Sequence, residues 1–247
     1  MENTLQPCLP HIRFFCLSSK EFLQKVRPYK KLLKRQLYEN LLNSHLDPDN
    51  EPIENILLPR NIKIDGIVDS KIVNNLIIIS TILRWIDKDN SKFSHIRGLY
   101  LPYKFQLLLR GSRDGFTPKK FHELCDCKYN TVTFIKVKGA EEILGGYNPL
   151  KWGSSKSWGK TKDSFIFSFK NNVKDVILSN IVNTDCALYN GSKYGPQFGS
   201  DIIIYASSES TDYDNIRCRK HNYDKVLRNS NKYFPIDDYE VFQIIKG

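Results

Sequence analysis

Three spacings in this 247-residue chain have the residue types that chemistry needs. The first is His122, Cys125 and Cys127, an H-x-x-C-x-C cluster of the nitrogen and sulfur ligands that zinc takes. A structural zinc site needs four ligands, usually as two pairs, and the sequence holds no second Cys or His pair to complete one. A structural role is therefore expected, with Cys125 packed beneath a short helix, His122 facing outward, and Cys127 an oxidation-sensitive thiol where exposed. The second spacing runs from Gly153 to Thr161 and nearly spells a phosphate-binding loop. It places five residues between Gly153 and Gly159 where that loop needs four, and Phe165-Ile166-Phe167 announces a strand where the motif must open a helix. The third, Gly111-Ser112-Arg113-Asp114-Gly115, sets its serine one place too early for a nucleophile elbow.

Ser112 thus reads as a turn residue. Asp114, with Arg110 or Arg113, is expected to fix that turn through side-chain to backbone hydrogen bonds. Glu141 and Glu142 are adjacent, so on a strand they point to opposite faces and cannot act as a catalytic pair. Asp237, Asp238 and Glu240 read as a solvated edge that discourages sheet-to-sheet pairing. No catalytic, cofactor-binding or metal-ligating residue is assigned, and no enzymatic activity is expected.

The elements around these spacings are mostly strands. Phe105 to Leu109 is an apolar run that stops at Arg110-Gly111, and Asp114-Gly115 forces a turn. Thr117-Pro118 reads as an N-cap followed by proline at the first helical position, opening a helix through Phe121 and Leu124. Thr131 to Lys138 alternates, with Thr133, Ile135 and Val137 on one face. Glu142 to Tyr147 is a second apolar segment, ending in the pair Gly145-Gly146, which reads as a turn with Gly145 at positive φ. Asp163 to Phe169 sets Phe165, Phe167 and Phe169 two apart. Three such segments with turns between them predict an antiparallel sheet. Later, Val173 to Val182 supports helix and strand equally, Gly191 to Gly199 is rich in turns, and Asp201 to Ala206 and Tyr239 to Ile245 are strands. Trp152 and Trp158 are expected in the core or on its rim.

The order LLLRGSRDGF, helix, TVTFIKV, ILGGYNP with Trp152, DSFIFSF and then Gly195-Pro196-Gln197-Phe198-Gly199 closely resembles the TLDc domain across about 140 residues. The resemblance implies an α+β, mainly β fold: a sandwich of two antiparallel sheets with peripheral helices. It implies no chemistry, and names Gly111, Asp114, Gly115, Gly145, Gly146, Trp152, Gly195, Phe198 and Gly199 as structural motif residues. TLDc proteins are associated with resistance to oxidative stress, and several regulate the vacuolar-type proton ATPase. A protein partner of that kind is expected here.

Ahead of the motifs, Ser18 to Glu21 fits a capping box, and Phe22, Leu23 and Val26 carry a helix until Pro28 interrupts it. Tyr29, Leu33, Leu37 and Leu41 then predict a second helix. The segment to Leu46 resembles the C-terminal end of a BACK domain, which follows BTB domains in ubiquitin-ligase adaptors. On that reading residues 1–46 are a helical remnant, and Leu33, Leu37 and Leu41 lack their usual partners, leaving that face exposed or folded onto the sandwich. A cullin-type ligase would be the alternative partner. Residues 47–68, with Pro48, Pro52 and Pro59, read as a linker, and residues 69–247 as the TLDc domain. Within the latter Ser70 to Val73 is a strand candidate. Asn74 to Trp85 is a helix by length, despite its β-branched isoleucines and a more apolar run than TLDc domains show there.

Composition bounds the rest. The formal net charge is +10, about +2 before Val68 and +8 after it, with acids interleaved among the bases and no nucleic-acid-binding pattern, so a solvated basic surface is expected. The six cysteines form no disulfide framework, and Met1-Glu2-Asn3 leads into no apolar signal segment. A reducing, intracellular, cytoplasmic setting is expected. The longest apolar run, Leu76 to Leu83, is too short for a membrane span, which needs roughly 18 residues.

Overall fold

Alternation at a period of two residues builds most of the computed structural model. It describes residues 19–46, 68–88, 103–170, 175–229 and 232–246, with Leu9, Ile12, Phe14 and Leu17 before them. The chain divides into two units, Met1–Lys63 with Ile79–Leu101, and Ile64–Ile78 with Pro102–Gly247.

In the first unit one α-turn, Ser19–Glu21, continues as a π-helix over Phe22–Val26 and tightens to a 3-10 helix over Arg27–Leu32. Pro28 lies in the first turn of the 3-10 segment, a position where helices tolerate proline. Leu33 is extended (φ −90°, ψ 144°) and breaks the path before α1, Arg35–Leu46. The single helix expected from Tyr29 to Leu41 is therefore two pieces, and Tyr29 is exposed. The leucine face is not left without partners either. Leu33 and Leu41 bury together with Phe14, Phe22 and Val26, with Leu37 and Tyr38 packed against them. The capping residue Ser18 and linker residues 47–67 lie outside the described residues.

Ser70–Val73 is not a strand. The Ser70 hydroxyl accepts from the amides of Ile72 (3.1 Å) and Val73 (2.7 Å), a local turn that competes with sheet pairing. Helix α2, Leu76–Asp87, follows, opened by the Asn75 side chain accepting from Ile77 N at 2.9 Å. Ile78, Ile79, Ile82 and Leu83 are buried and Ile77 is exposed. That spacing of three and four is helical, and burial of the stripe outweighs the weak propensity of isoleucine.

The second unit consists of two antiparallel sheets. Strands β1 (Tyr103–Arg110), β2 (Thr131–Val137), β3 (Glu142–Asn148), β5 (Phe165–Lys170), β6 (Asp175–Asn180) and β11 (Ile236–Lys246) form the larger, in the order β1-β11-β2-β3-β5-β6. The smaller comprises β4 (Ser157–Gly159), β7 (Leu188–Asn190), β8 (Gln197–Phe198), β9 (Ile202–Tyr205) and β10 (Asn215–Cys218), in the order β10-β9-β8-β7-β4. A single-turn helix α3 (Gly111–Asp114) and a longer α4 (Pro118–Cys125) join β1 to β2. The segment 175–180, which periodicity left open, is strand.

Ile135, Leu144, Ile166 and Val241 of the larger sheet meet Leu188, Phe198, Ile202 and Ile204 of the smaller in one core. This is the mainly β, two-sheet architecture expected from the strand pattern and the resemblance. The other face of the larger sheet is buried as well. Phe134 lies 5.7 Å from Phe167 and 6.0 Å from Phe242, ring centre to ring centre, and all three are fully buried. So β2 has two buried faces where alternation alone would suggest one.

Two expectations are corrected by the sheet. Gly145 and Gly146 lie within β3, paired to Phe134 and Thr133 of β2, and neither has positive φ. What they provide is room. A Cβ on Gly145 would meet the Thr133 carbonyl and stand 2.6 Å from the Phe167 ring, and one on Gly146 would stand 2.6 Å from Phe198. Asp237, Asp238 and Glu240 do not form a solvated edge, because β11 runs between β1 and β2. Only Asp237 is exposed, Asp238 is half-buried, and Glu240 is fully buried.

Candidate interaction groove

The turn after β1 gathers Arg110, Arg113, Asp114, Asp238 and Glu240. Gly115 closes α3 at φ 107°, a backbone that L side chains avoid, and its amide donates to Gly111 O at 2.8 Å. Asp114 Oδ2 accepts from Arg110 N at 2.9 Å, and both carboxylate oxygens accept from the Arg113 guanidinium at 2.8 Å. Arg113, above all, holds the Asp114 carboxyl below the usual carboxylate range. Ser112 donates through its amide and hydroxyl to Asp238, at 2.8 and 2.5 Å. Arg110 turns away from Asp114 and donates from Nε to the buried Glu240 at 2.6 Å and from its terminal nitrogen to Asp69 O at 2.7 Å. Ser70 Oγ and Lys71 N complete the Glu240 carboxylate. The bonds of Ser112, Arg110 and Glu240 run between segments, so the constellation joins β1, β11 and residues 69–71.

The motif residues separate into three places. Gly111, Asp114 and Gly115 belong to this turn. Gly146, Trp152 and Phe198 meet in the core, where Trp152 donates to Thr131 Oγ1 at 2.8 Å and meets Phe198 edge-on at 5.7 Å; Gly145 faces the phenylalanine layer on the other side. Gly195 and Gly199 flank β8, the latter at φ 55° and the former against the Tyr213 hydroxyl.

His122 and its cysteines are not gathered on a common centre, and no group of three or more His, Cys, Asp or Glu among the described residues could hold a metal. His122 does not face outward. Its Nδ1 lies 2.8 Å from Asp126 and its Nε2 3.0 Å from Gly191 O, so both ring nitrogens are engaged. Cys125 is buried beneath α4, which pushes its thiol far up, while Cys127 is exposed. Burial pushes Cys218 up to about 12.

A concave surface with unengaged polar groups lies on the outer face of the smaller sheet. Leu188, Phe198, Ile202, Ile204, Ile216 and Cys218 face the core, so the alternate residues Tyr189, Gln197, Ile203, Tyr205 and Arg217 line the outside. They border a groove of about 460 Å³. Four rings cross it in sequence: Trp158 to Tyr189 (4.8 Å), Tyr189 to Tyr194 (5.0 Å) and Tyr194 to Tyr205 (5.0 Å). Arg217 and Arg219 also line it, and no carboxylate does. Gln197 Oε1, Asn215 Oδ1 and Arg217 Nε are shielded from solvent without a hydrogen-bond partner. Gln197 lies in the Gly195–Gly199 motif, whereas Asn215 and Arg217 lie in none; their signal was the alternation Asn215-Ile216-Arg217-Cys218-Arg219, a strand with one polar face.

The second unit is thus a two-sheet β domain with an aromatic groove on the outer face of its smaller sheet. Its sequence matches the family described as TLDc domain over residues 70–245, and the chain belongs to that family. Comparison with curated protein sequences returns no match. No helix among the described residues is long and apolar enough to cross a membrane.

Proposed function

We propose that this chain is a non-enzymatic TLDc interaction module acting in oxidative-stress protection, in the cytoplasm, by binding a vacuolar-type proton ATPase or another intracellular protein. The observation that carries the reading is the family match over residues 70–245. The outer groove supports it, since its aromatic and arginine lining is of the kind enriched at protein interfaces. In the same reading residues 1–46 are the remnant of a BACK domain, residues 47–68 a linker and residues 69–247 the TLDc module. The partner is tested with purified soluble proton-pump sector and the full chain in analytical ultracentrifugation. Co-sedimentation at micromolar concentrations is expected, and independent sedimentation of the two would remove the pump as partner.

The second reading, an adaptor fragment of a BTB-BACK ubiquitin-ligase component, draws on the helical first unit. That unit has its own apolar cluster around Phe22 and Leu41. Co-purification of the full chain with a cullin would favour it over the first.

A further inference from the structure

Two features of the outer groove restrict what it can hold. The first is the attitude of its rings. Trp158 and Tyr189 meet at 62°, Tyr189 and Tyr194 at 79°, and Tyr194 and Tyr205 at 54°. Rings set at such angles form a row of notches. They are not the parallel platforms on which successive nucleic-acid bases stack. Notches between aromatic side chains accept the ridges of an extended or polyproline-type chain. The second feature is the set of unpartnered atoms. Gln197, 4% exposed, offers a shielded acceptor, Asn215 another, and Arg217 Nε a donor. A phosphate or an oligonucleotide backbone brings acceptors alone and would leave Gln197 Oε1 unsatisfied. A peptide backbone brings an N–H and a C=O at each residue and can satisfy both kinds.

Charge decides the side chains. Among the described residues neither Arg217 nor Arg219 forms an ion pair, and no acid lines the groove beside them. Arg219, which lines the groove, is held by its Nε donating to Ser200 O at 2.9 Å. Arg217 lies over the Tyr233 ring at 5.8 Å. Two guanidinium groups without a counter-charge suit carboxylates, which arginine can take bidentately.

We propose that this groove binds an extended acidic peptide segment of a partner protein. Its aliphatic or proline side chains fill the notches between Trp158, Tyr189, Tyr194 and Tyr205. Its backbone bonds to Gln197 and Asn215, and its carboxylates meet Arg217 and Arg219. The proposal rests on the reading of this chain as an interaction module and adds where the partner binds and what chemistry it presents.

The test is selection of phage-displayed random dodecapeptides on the full chain, followed by fluorescence anisotropy with the selected sequences. The expected result is enrichment of acidic peptides with proline or aliphatic residues. Their binding weakens with salt and falls about tenfold or more in Trp158→Ala and in Arg217→Gln. Both side chains project from the outer face, and unchanged thermal unfolding of each variant shows that the fold is kept. Failure to enrich any acidic peptide would overturn the proposal, as would enriched peptides whose binding neither variant alters. Oligothymidylate that binds, and is lost in the same variants, would overturn it in favour of nucleic acid. Proton-pump binding that survives both substitutions places the pump elsewhere on the surface and leaves only the groove assignment at fault. Peptide selection that succeeds without pump binding does the reverse.

Discussion

Replacing Arg110 by leucine removes the one cation beside a carboxylate that no water reaches. Glu240 is 0% exposed and the Arg110 side chain 8%. The Nε–Oε1 distance is 2.6 Å, so this is a close, buried pair. The variant leaves Glu240 with the Ser70 hydroxyl and the Lys71 amide but no counter-charge. Breaking a buried pair from one side costs about 3–5 kcal/mol, because the remaining charge is stranded. The second partner adds little, since the Asp69 side chain is 77% exposed and solvent screens it. For a folded unit of this size such a loss lowers Tm by roughly 10 °C. Urea denaturation followed by tryptophan fluorescence measures it. The double variant Arg110→Leu, Glu240→Leu tests the reasoning, because it removes the stranded charge along with its partner. It is expected to recover part of the loss and to remain about 1–3 kcal/mol below the parent, since Ser70 and Lys71 lose their acceptor. A single variant costing under about 1 kcal/mol, or a double variant less stable than the single, would refute the account of this joint.

Three further outcomes are expected. Gly145→Val should destabilise by about 2 kcal/mol or more through overpacking against the Thr133 carbonyl and the Phe167 ring; calorimetry that finds the parent Tm would contradict the close approach. Asp114 has a depressed pKa in the fold, so its contribution is complete above the unfolded value of about 3.9 and is lost as pH falls through the lower folded value. Asp114→Asn should therefore flatten the stability profile below about pH 4, and an unchanged acid limb in chemical denaturation would remove that assignment. Among the described thiols Cys127 should alkylate first with iodoacetamide in the native protein, while Cys125 and Cys218 react only on unfolding, as mass spectrometry of timed samples would reveal.

The larger sheet was legible because its strands are long and rich in β-branched and aromatic residues, as in Thr131–Val137 and Phe165–Lys170. The turn at Gly111–Gly115 was legible because Asp-Gly and Thr-Pro carry their own geometry. The smaller sheet was mostly hidden. Its strands β4, β7 and β8 are two or three residues long, shorter than any period can establish, and long-range packing defines them. Gly145 was misread because a glycine pair looks the same in a turn and in a strand that must admit a neighbouring ring. Glu240 was misread because charge suggests exposure, and its burial is explained by partners far away in sequence, Arg110, Ser70 and Lys71. The groove residues escaped because their chemistry exists only once β4, β7, β8, β9 and β10 stand side by side.

Strand β11 lies between β1 and β2, yet it follows β1 by about half the chain and β2 by about two fifths of it. At a synthesis rate of about 5–20 residues per second, roughly 7–26 s separate the emergence of Arg110 from that of Glu240. Through that interval β1 has no ladder partner, and the phenylalanine face of β2 has no Phe242 beside it. The nascent chain thus carries an unpaired edge and an apolar layer that only its later part can cover. High contact order of this kind slows folding and invites pairing with other chains. The protein should therefore depend on chaperone capture during synthesis more heavily than its finished fold, with that strand enclosed on both sides, would suggest.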